Sequence, residues 1–255
     1  MNGMKAVFKT DRGKVRSHNE DNGGYFFNKV GEVLVIVADG MGGHRAGDVA
    51  SSMAVSYLQQ NWIETDQMST PAMAEAWLEE HIKKVNNRIF NHAETHTECQ
   101  GMGTTLVAAV CTERYTTIAH IGDSRCYLYN ESGFKQITED HSLVYELVRT
   151  GQISREDAEH HPRKNVLLRA LGTELAVEVD SRTIVFEEGD CLLLCSDGLT
   201  NKVSDRELME TLDLDISIEE KANLFVSKAN ANGGEDNITL VLVQYNQAIE
   251  SVETS

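Results

Sequence analysis

Aspartate recurs in this chain where apolar, strand-like runs meet glycine. Val33-Leu34-Val35-Ile36-Val37-Ala38 ends at Asp39 and passes into Gly40-Met41-Gly42-Gly43-His44. Asp123 follows His120-Ile121-Gly122, Asp197 follows Leu192-Leu193-Leu194-Cys195-Ser196 and precedes Gly198, and Asp236 follows Gly233-Gly234-Glu235. Each alone has a mild explanation, because Asp beside Gly is common turn chemistry. Together with Asp21 in Arg16-Ser17-His18-Asn19-Glu20-Asp21 they offer five carboxylates able to converge at one end of a sheet. Bare carboxylates held together repel, and each ionisation raises the pKa of the next. A hard divalent cation resolves the repulsion. An all-oxygen set with no Cys or suitably spaced His favours Mg²⁺ or Mn²⁺ over Zn²⁺.

The elements that must position these residues are legible in outline. Strands are expected over 4–10, in two runs over about 23–38, over 104–111, 115–121, 125–129 and 134–137, and again over about 176–186, 190–196 and 238–245. The strands between 104 and 137 are separated by short turns and are expected to be antiparallel neighbours. A helix should begin near Ala46, with Val49, Ala50, Met53, Ala54, Tyr57 and Leu58 at helical spacing. A second should start at Ser69-Thr70-Pro71, a capping hydroxyl followed by proline at the first helical position, and bury Ala74, Leu78, Ile82, Val85 and Ile89. Capping boxes at Ser204/Glu207 and Ser217/Glu220 announce two more. Between His141 and Leu171 the chain is polar and weakly helical. Strands grouped around helix pairs, without a βαβ alternation, point to an α+β domain of two packed sheets with helices outside.

Composition excludes several classes. The 255 residues carry 23 basic and 40 acidic side chains, a net charge of −17. No basic run follows a phosphate backbone, so nucleic acid is not an expected partner. No segment approaches the roughly 20 apolar residues of a membrane span, and the first residues lack a secretory pattern, so a soluble, cytoplasmic protein is expected. The five cysteines form no paired framework and read as small core hydrophobes, and none is followed six positions later by Arg as a cysteine phosphatase requires. Gly40 to Gly47 lacks the Gly-Lys-Ser/Thr of a P-loop, and His92-Ala93-Glu94-Thr95-His96 has Ala93 where a metalloprotease helix needs Glu.

Val15-Arg16 through Asn19-Glu20-Asp21, Ala38-Asp39-Gly40-Met41-Gly42-Gly43-His44, Gly101-Met102-Gly103-Thr104-Thr105, Gly122-Asp123-Ser124-Arg125, Thr138-Glu139-Asp140-His141-Ser142, His161-Pro162 through Ala170-Leu171-Gly172, Cys195-Ser196-Asp197-Gly198-Leu199 and Gly234-Glu235-Asp236-Asn237-Ile238-Thr239 follow one another in order. In these segments the chain resembles the PPM, or type 2C, metal-dependent protein serine/threonine phosphatases in their compact bacterial form. The resemblance implies a four-layer α-β-β-α sandwich of two mainly antiparallel sheets flanked by helix pairs. It implies one domain over 1–246, a flap over about 142–172 bordering the site, and a short polar tail over 247–255. It also implies a two-metal Mn²⁺ or Mg²⁺ centre. Asp39 would bridge both ions, the Gly40 carbonyl would join the second, and Asp197 and Asp236 would hold the first. Asp21 would act on the second partly through water, with Glu20 beside it. Asp123 would hold a third, weaker ion shared with Asp197, and Arg16 would grip the substrate phosphate.

The mechanism so implied is attack by a hydroxide between two cations, in line with the leaving oxygen and without a covalent intermediate. Animal members of the family have a histidine two residues after the bridging Asp, where this chain has Met41. His44 or a metal-bound water would then protonate the leaving group, the alternative for His44 being a structural role in the glycine loop. Arg125, Asp140 and Asn237 are expected to order strand ends and ligands, with Thr104 and Thr105 in support. The function implied is hydrolysis of phosphoserine and phosphothreonine in proteins, opposing a serine/threonine kinase, by a monomer. The alternatives are a phosphoprotein-binding regulator with weak turnover and a phosphatase dedicated to a partner-switching regulator.

Overall fold

The computed structural model describes residues 3–43 and 46–246. Its strands are β1 (Met4–Asp11), β2 (Asp21–Phe27), β3 (Val33–Met41), β4 (Gly103–Thr104), β5 (Leu106–Cys111), β6 (Tyr115–Ile121), β7 (Arg125–Asn130), β8 (Gly133–Gln136), β9 (Asp180–Val185), β10 (Cys191–Cys195) and β11 (Ile238–Tyr245). Its α-helices are α1 (Ala46–Trp62), α2 (Pro71–Thr95), α3 (Leu143–Arg149), α4 (Arg155–Glu159), α5 (Asp197–Thr200), α6 (Asp205–Leu212) and α7 (Ile218–Ala231). One sheet runs β1-β11-β10-β7-β8 and the other β2-β3-β5-β6-β9, with β4 paired to β3. The pairings are antiparallel.

The continuous apolar character of β3, β10 and β11 follows from cover on both faces, each face being read at period two. From β3, Val33, Val35 and Val37 meet Leu192, Leu194, Val241 and Val243 of the other sheet. The alternate residues Leu34, Ile36 and Ala38 turn outward onto α1 and α2. Likewise Leu193, Cys195, Leu240 and Leu242 face α6 and α7, packing on Leu208, Leu212, Ala222 and Phe225. The result is the expected α-β-β-α order of layers. Helix α2 starts as its sequence dictates: Thr70 accepts from the Met73 N–H, Pro71 follows, and Ala74, Leu78, Ile82, Val85 and Ile89 are fully buried. Both capping boxes, at α6 and α7, are formed.

The structure departs from expectation in four places. β6 and β7 are not neighbours: the chain crosses from one sheet to the other at Gly122-Asp123-Ser124, with Gly122 at φ +103°. Residues 176–179 are not in β9, whose pairing with β6 stops at His120 with Asp180. The run from Thr104 is split, since Thr104 pairs with Gly40 of β3 while β5 begins at Leu106. Finally, Asp197 does not merely end β10: it is the first residue of the one-turn helix α5. His44 and the tail 247–255 lie outside the described residues.

All five cysteines are free and buried. Burial pushes the Cys111, Cys191 and Cys195 thiols up to about 12, which removes them as nucleophiles. Among the described residues no helix is long and apolar enough to cross a membrane.

Candidate metal centre

Asp39 is anchored by its own backbone. Its N–H donates to Thr105 Oγ1 (3.0 Å), and its carbonyl accepts from Thr105 N–H (2.8 Å) and Thr104 Oγ1 (2.9 Å). Thr105 Oγ1 also pairs with Ser124 Oγ at 2.7 Å. One buried hydroxyl therefore links the end of β3 to the residue after Asp123. Gly40 has no room for a side chain, since a Cβ there would lie 2.1 Å from the Gly47 carbonyl and 2.5 Å from that of Glu20. This is why β3 needs glycine at position 40, where the first turn of α1 packs against it.

Asp21 is the register partner of Asp39 across β2–β3, and its Oδ2 accepts from Ser196 Oγ at 2.8 Å. Asp197 takes Asn201 Nδ2 on Oδ2 at 3.0 Å, while its Oδ1 is buried with no hydrogen-bond partner. Asp236 accepts from the Asn237 N–H on Oδ1 and from Arg16 Nη2 on Oδ2, both at 2.8 Å. The Asn237 side chain accepts from the Glu20 N–H (2.8 Å) and donates to the carbonyls of Arg12 (2.9 Å) and His18 (3.0 Å). It thus fastens the N-terminal polar segment to the start of β11. Gly198 packs against the same place, a Cβ there falling 1.9 Å from the Asn237 carbonyl.

Arg16, Asp39, Gly40, Asp123, Asp197 and Asp236 line one cleft of about 200 Å³, closed on the flap side by Asn165 and Leu167. Asp21 lies behind it, next to Asp39. The carboxylates feel one another. Burial, then Asp21, Asp197, Asp123 and Asp236, hold Asp39 well above the usual carboxylate range. Asp21 is pushed up to about 7 by burial, against the Ser196 and Thr239 hydroxyls. Asp123 is pushed up to about 7 by burial, Asp197 and Asp140, with Arg125 opposing. Asp197 is raised by burial and Asp236. The expected supporting residues are in place: Arg125 binds Asp140 through Nε (2.9 Å) and Nη2 (2.7 Å) beside the Asp123 turn.

A cluster of oxygens with raised pKa values and a buried Oδ1 lacking a donor fits a hard divalent cation. A second group of possible ligands, His120, His141 and Asp180, lies elsewhere. Its hydrogen bonds argue against a metal. The Gly122 N–H points at His141 Nδ1 (3.2 Å), and an amide can only donate, so the imidazole proton sits on Nε2 and goes to Asp180 Oδ2 (3.1 Å). Coordination would require both ring nitrogens to be bare, beside the Arg169 guanidinium at 3.5 Å.

Asn165 and Leu167 fall within the flap segment expected to border the site, but nothing in their local pattern singles out these two residues. The polar run Glu139-Asp140-His141-Ser142 was a usable signal for the His141 contacts. Adjoining the cleft, and sharing Asp123, Asn165 and Asp197 with it, is a groove of about 950 Å³ between α3–α4 and α5–α6.

Residues 11–228 match the family described as protein phosphatase 2C. The chain belongs to that family. A serine/threonine phosphatase stp of Listeria welshimeri is 56% identical to this phosphatase over 243 residues, 95% of this chain and 96% of the relative. Among solved structures, serine/threonine phosphatase Stp1 from Staphylococcus aureus superposes with a TM-score of 0.90 at 39% identity, covering 94% of each chain. The catalytic domain of the serine threonine protein phosphatase PstP, in complex with two manganese ions, does so with a TM-score of 0.84 at 34% identity, covering 94% of this chain and 97% of that one.

Proposed function

We propose that this phosphatase hydrolyses phosphoserine and phosphothreonine in proteins with the help of Mn²⁺ or Mg²⁺, in the cytoplasm, as a monomer opposing a serine/threonine kinase. The observation that carries the reading is the convergence of Asp39, Asp123, Asp197 and Asp236 from both sheets on one cleft, with Arg16 at its rim. In this reading residues 1–246 act as one phosphatase domain, with the flap over about 142–172.

Asp39 would bridge two cations, joined by the Gly40 carbonyl on one side and by Asp197 and Asp236 on the other, with Asp21 contributing through water. Asp123 and Asp197 would hold a third, weaker ion. Such cations, when bound, acidify water between them and offset charge developing on phosphoryl oxygens. The protein's own groups do the rest. Thr104, Thr105 and Ser124 hold the Asp39 backbone and the Asp123 turn in a fixed relation. Arg16 commits Nη2 to Asp236, and its planar fork matches two phosphate oxygens, so it clamps the substrate at the cleft mouth. Met41 has no proton to give, so the leaving alkoxide takes its proton from water or from His44.

The test is phosphate release from a phosphothreonine peptide in EDTA, Mg²⁺ or Mn²⁺, alongside the Asp197→Ala variant. Cation-dependent release that disappears in the variant supports the reading. Silence throughout would favour a phosphoprotein-binding regulator, and release that survives EDTA would sink the metal centre.

A further inference from the structure

The Asp123 turn is held from two sides. On one, Gly122 presses against Thr105, whose Cβ and Cγ2 would lie 2.7 Å from a Cβ at Gly122. On the other stands the buried residue His141. Its N–H donates to the Gly122 carbonyl (2.9 Å) and its Nδ1 accepts from the Gly122 N–H (3.2 Å), so both polar groups of that peptide unit's residue are taken by a single partner. The same residue is where the flap leaves and returns. Its carbonyl accepts from Leu168 N–H (2.8 Å), Leu143 N–H donates to the Val166 carbonyl (2.9 Å), and Ser142 bridges to Leu167. Asn165 and Leu167, on the returning arm, line the metal cleft.

The ring itself is locked. Nε2 donates to Asp180 Oδ2 (3.1 Å), whose Oδ1 is held by Arg169 Nη1 (2.8 Å). One face stacks on His120 at 4.6 Å, and His120 in turn donates Nε2–H to the Glu139 carbonyl (2.8 Å). An imidazole fixed by this many contacts transmits its position to the Gly122 backbone.

We infer that His141 is a positioning residue that sets the Asp123 carboxylate for its cation and keeps the flap stem in register with it. The inference rests on the reading of Asp123 as a metal ligand. It gives the two ring nitrogens different duties: Nδ1 holds the turn, and Nε2 anchors the ring to β9. Asparagine can present Oδ1 where Nδ1 stands, whereas the longer glutamine amide follows Nε2.

The experiment titrates Mn²⁺ alone into EDTA-stripped protein by calorimetry, with peptide kinetics at limiting and saturating Mn²⁺. Variants are His141→Ala, His141→Asn, His141→Gln and Asp123→Asn, each checked by circular dichroism for retained fold. Removing an outer partner of a metal ligand typically weakens the metal by about 10- to 100-fold. His141→Ala should therefore weaken the weakest Mn²⁺ site by about tenfold or more, spare the tight sites, and lower kcat at limiting Mn²⁺. His141→Asn should restore that site to within about threefold of the parent, and His141→Gln should not. Unchanged weak-site affinity in His141→Ala, or equal rescue by Gln and Asn, overturns the inference. If Asp123→Asn keeps the weak site, the ligand reading itself fails. If Asp123→Asn loses it while His141→Ala keeps it, only the positioning role fails.

Discussion

Replacing Asp123 with Asn should make the metal-free protein more stable at alkaline pH while impairing it as a metal binder. Burial and the nearby Asp197 and Asp140 push the Asp123 carboxyl from 3.8 up to about 7 in the folded chain. A group whose folded value is raised contributes fully below its unfolded value, and that contribution is lost as pH rises through the folded value. The window here runs from about pH 4 to about pH 7. About three pH units at 1.36 kcal/mol each give at most about 4 kcal/mol of destabilisation above pH 7. Asn has nearly the shape of the protonated acid and escapes that cost. Scanning calorimetry in EDTA should then show Asp123→Asn melting close to the parent near pH 4.5 and above it at pH 8. At about 2–4 °C per kcal/mol the ceiling is about 8–16 °C. Saturating Mn²⁺ should narrow the difference, since about 100-fold excess over Kd adds about 2.7 kcal/mol per site and the variant lacks one. A variant that melts below the parent at pH 8 without metal would refute the view that these carboxylates are held together against their repulsion.

Other perturbations separate binding, positioning and packing. Arg16→Ala should lower kcat/KM for a phosphothreonine peptide by about 10²- to 10³-fold with Mn²⁺ binding retained, and Arg16→Lys should recover only part because it lacks the fork. Loss of less than tenfold in steady-state kinetics would remove Arg16 from the phosphate clamp. Thr105→Val strands the Asp39 N–H and should cost about 1–3 kcal/mol in urea unfolding, with Thr105→Ser restoring most of it. Ile82→Ala opens a cavity between α2 and the sheet and should cost about 2–5 kcal/mol, leaving kcat unchanged at temperatures where the protein stays folded.

Much of the frame was legible because local chemistry and global fold agree. Thr70-Pro71 and the spacing from Ala74 to Ile89 specify α2 from cap to buried stripe, and β6 and β11 begin and end where their apolar runs do. Period two tells which residues share a face, yet it is silent on which sheet a strand joins. The short turn at Gly122-Asp123-Ser124 therefore reads in sequence as a hairpin between β6 and β7, whereas the chain crosses there from one sheet to the other. Helix α5 is a single turn, too short for any helical period to register. The aspartates stood out through their position at strand ends beside glycine, and the structure brings Asp39, Asp123, Asp197 and Asp236 to one cleft. The contacts that orient them were hidden, because the Thr105–Ser124 pair and the His141–Gly122 clasp join residues 19 apart through tertiary folding alone.

The cleft straddles two sheets: Asp21 and Asp39 belong to one, Asp197 and Asp236 flank strands of the other, and Asp123 sits on the strap between them. Cohesion across that boundary comes largely from Val35, Val37, Leu194, Val241 and their neighbours, an oily contact with no directional preference, and at the site itself from the Ser196–Asp21 and Asn237–Glu20 hydrogen bonds. The apolar part of that contact constrains direction less than hydrogen bonds do, whereas chemistry tolerates about 0.5 Å of misplacement. The centre therefore works as a vernier on sheet alignment, and mild denaturant should silence the enzyme well before the molecule melts. A divalent ion held by these carboxylates would act as a rivet through both plates, so that loading the metal and locking the alignment would be the same event.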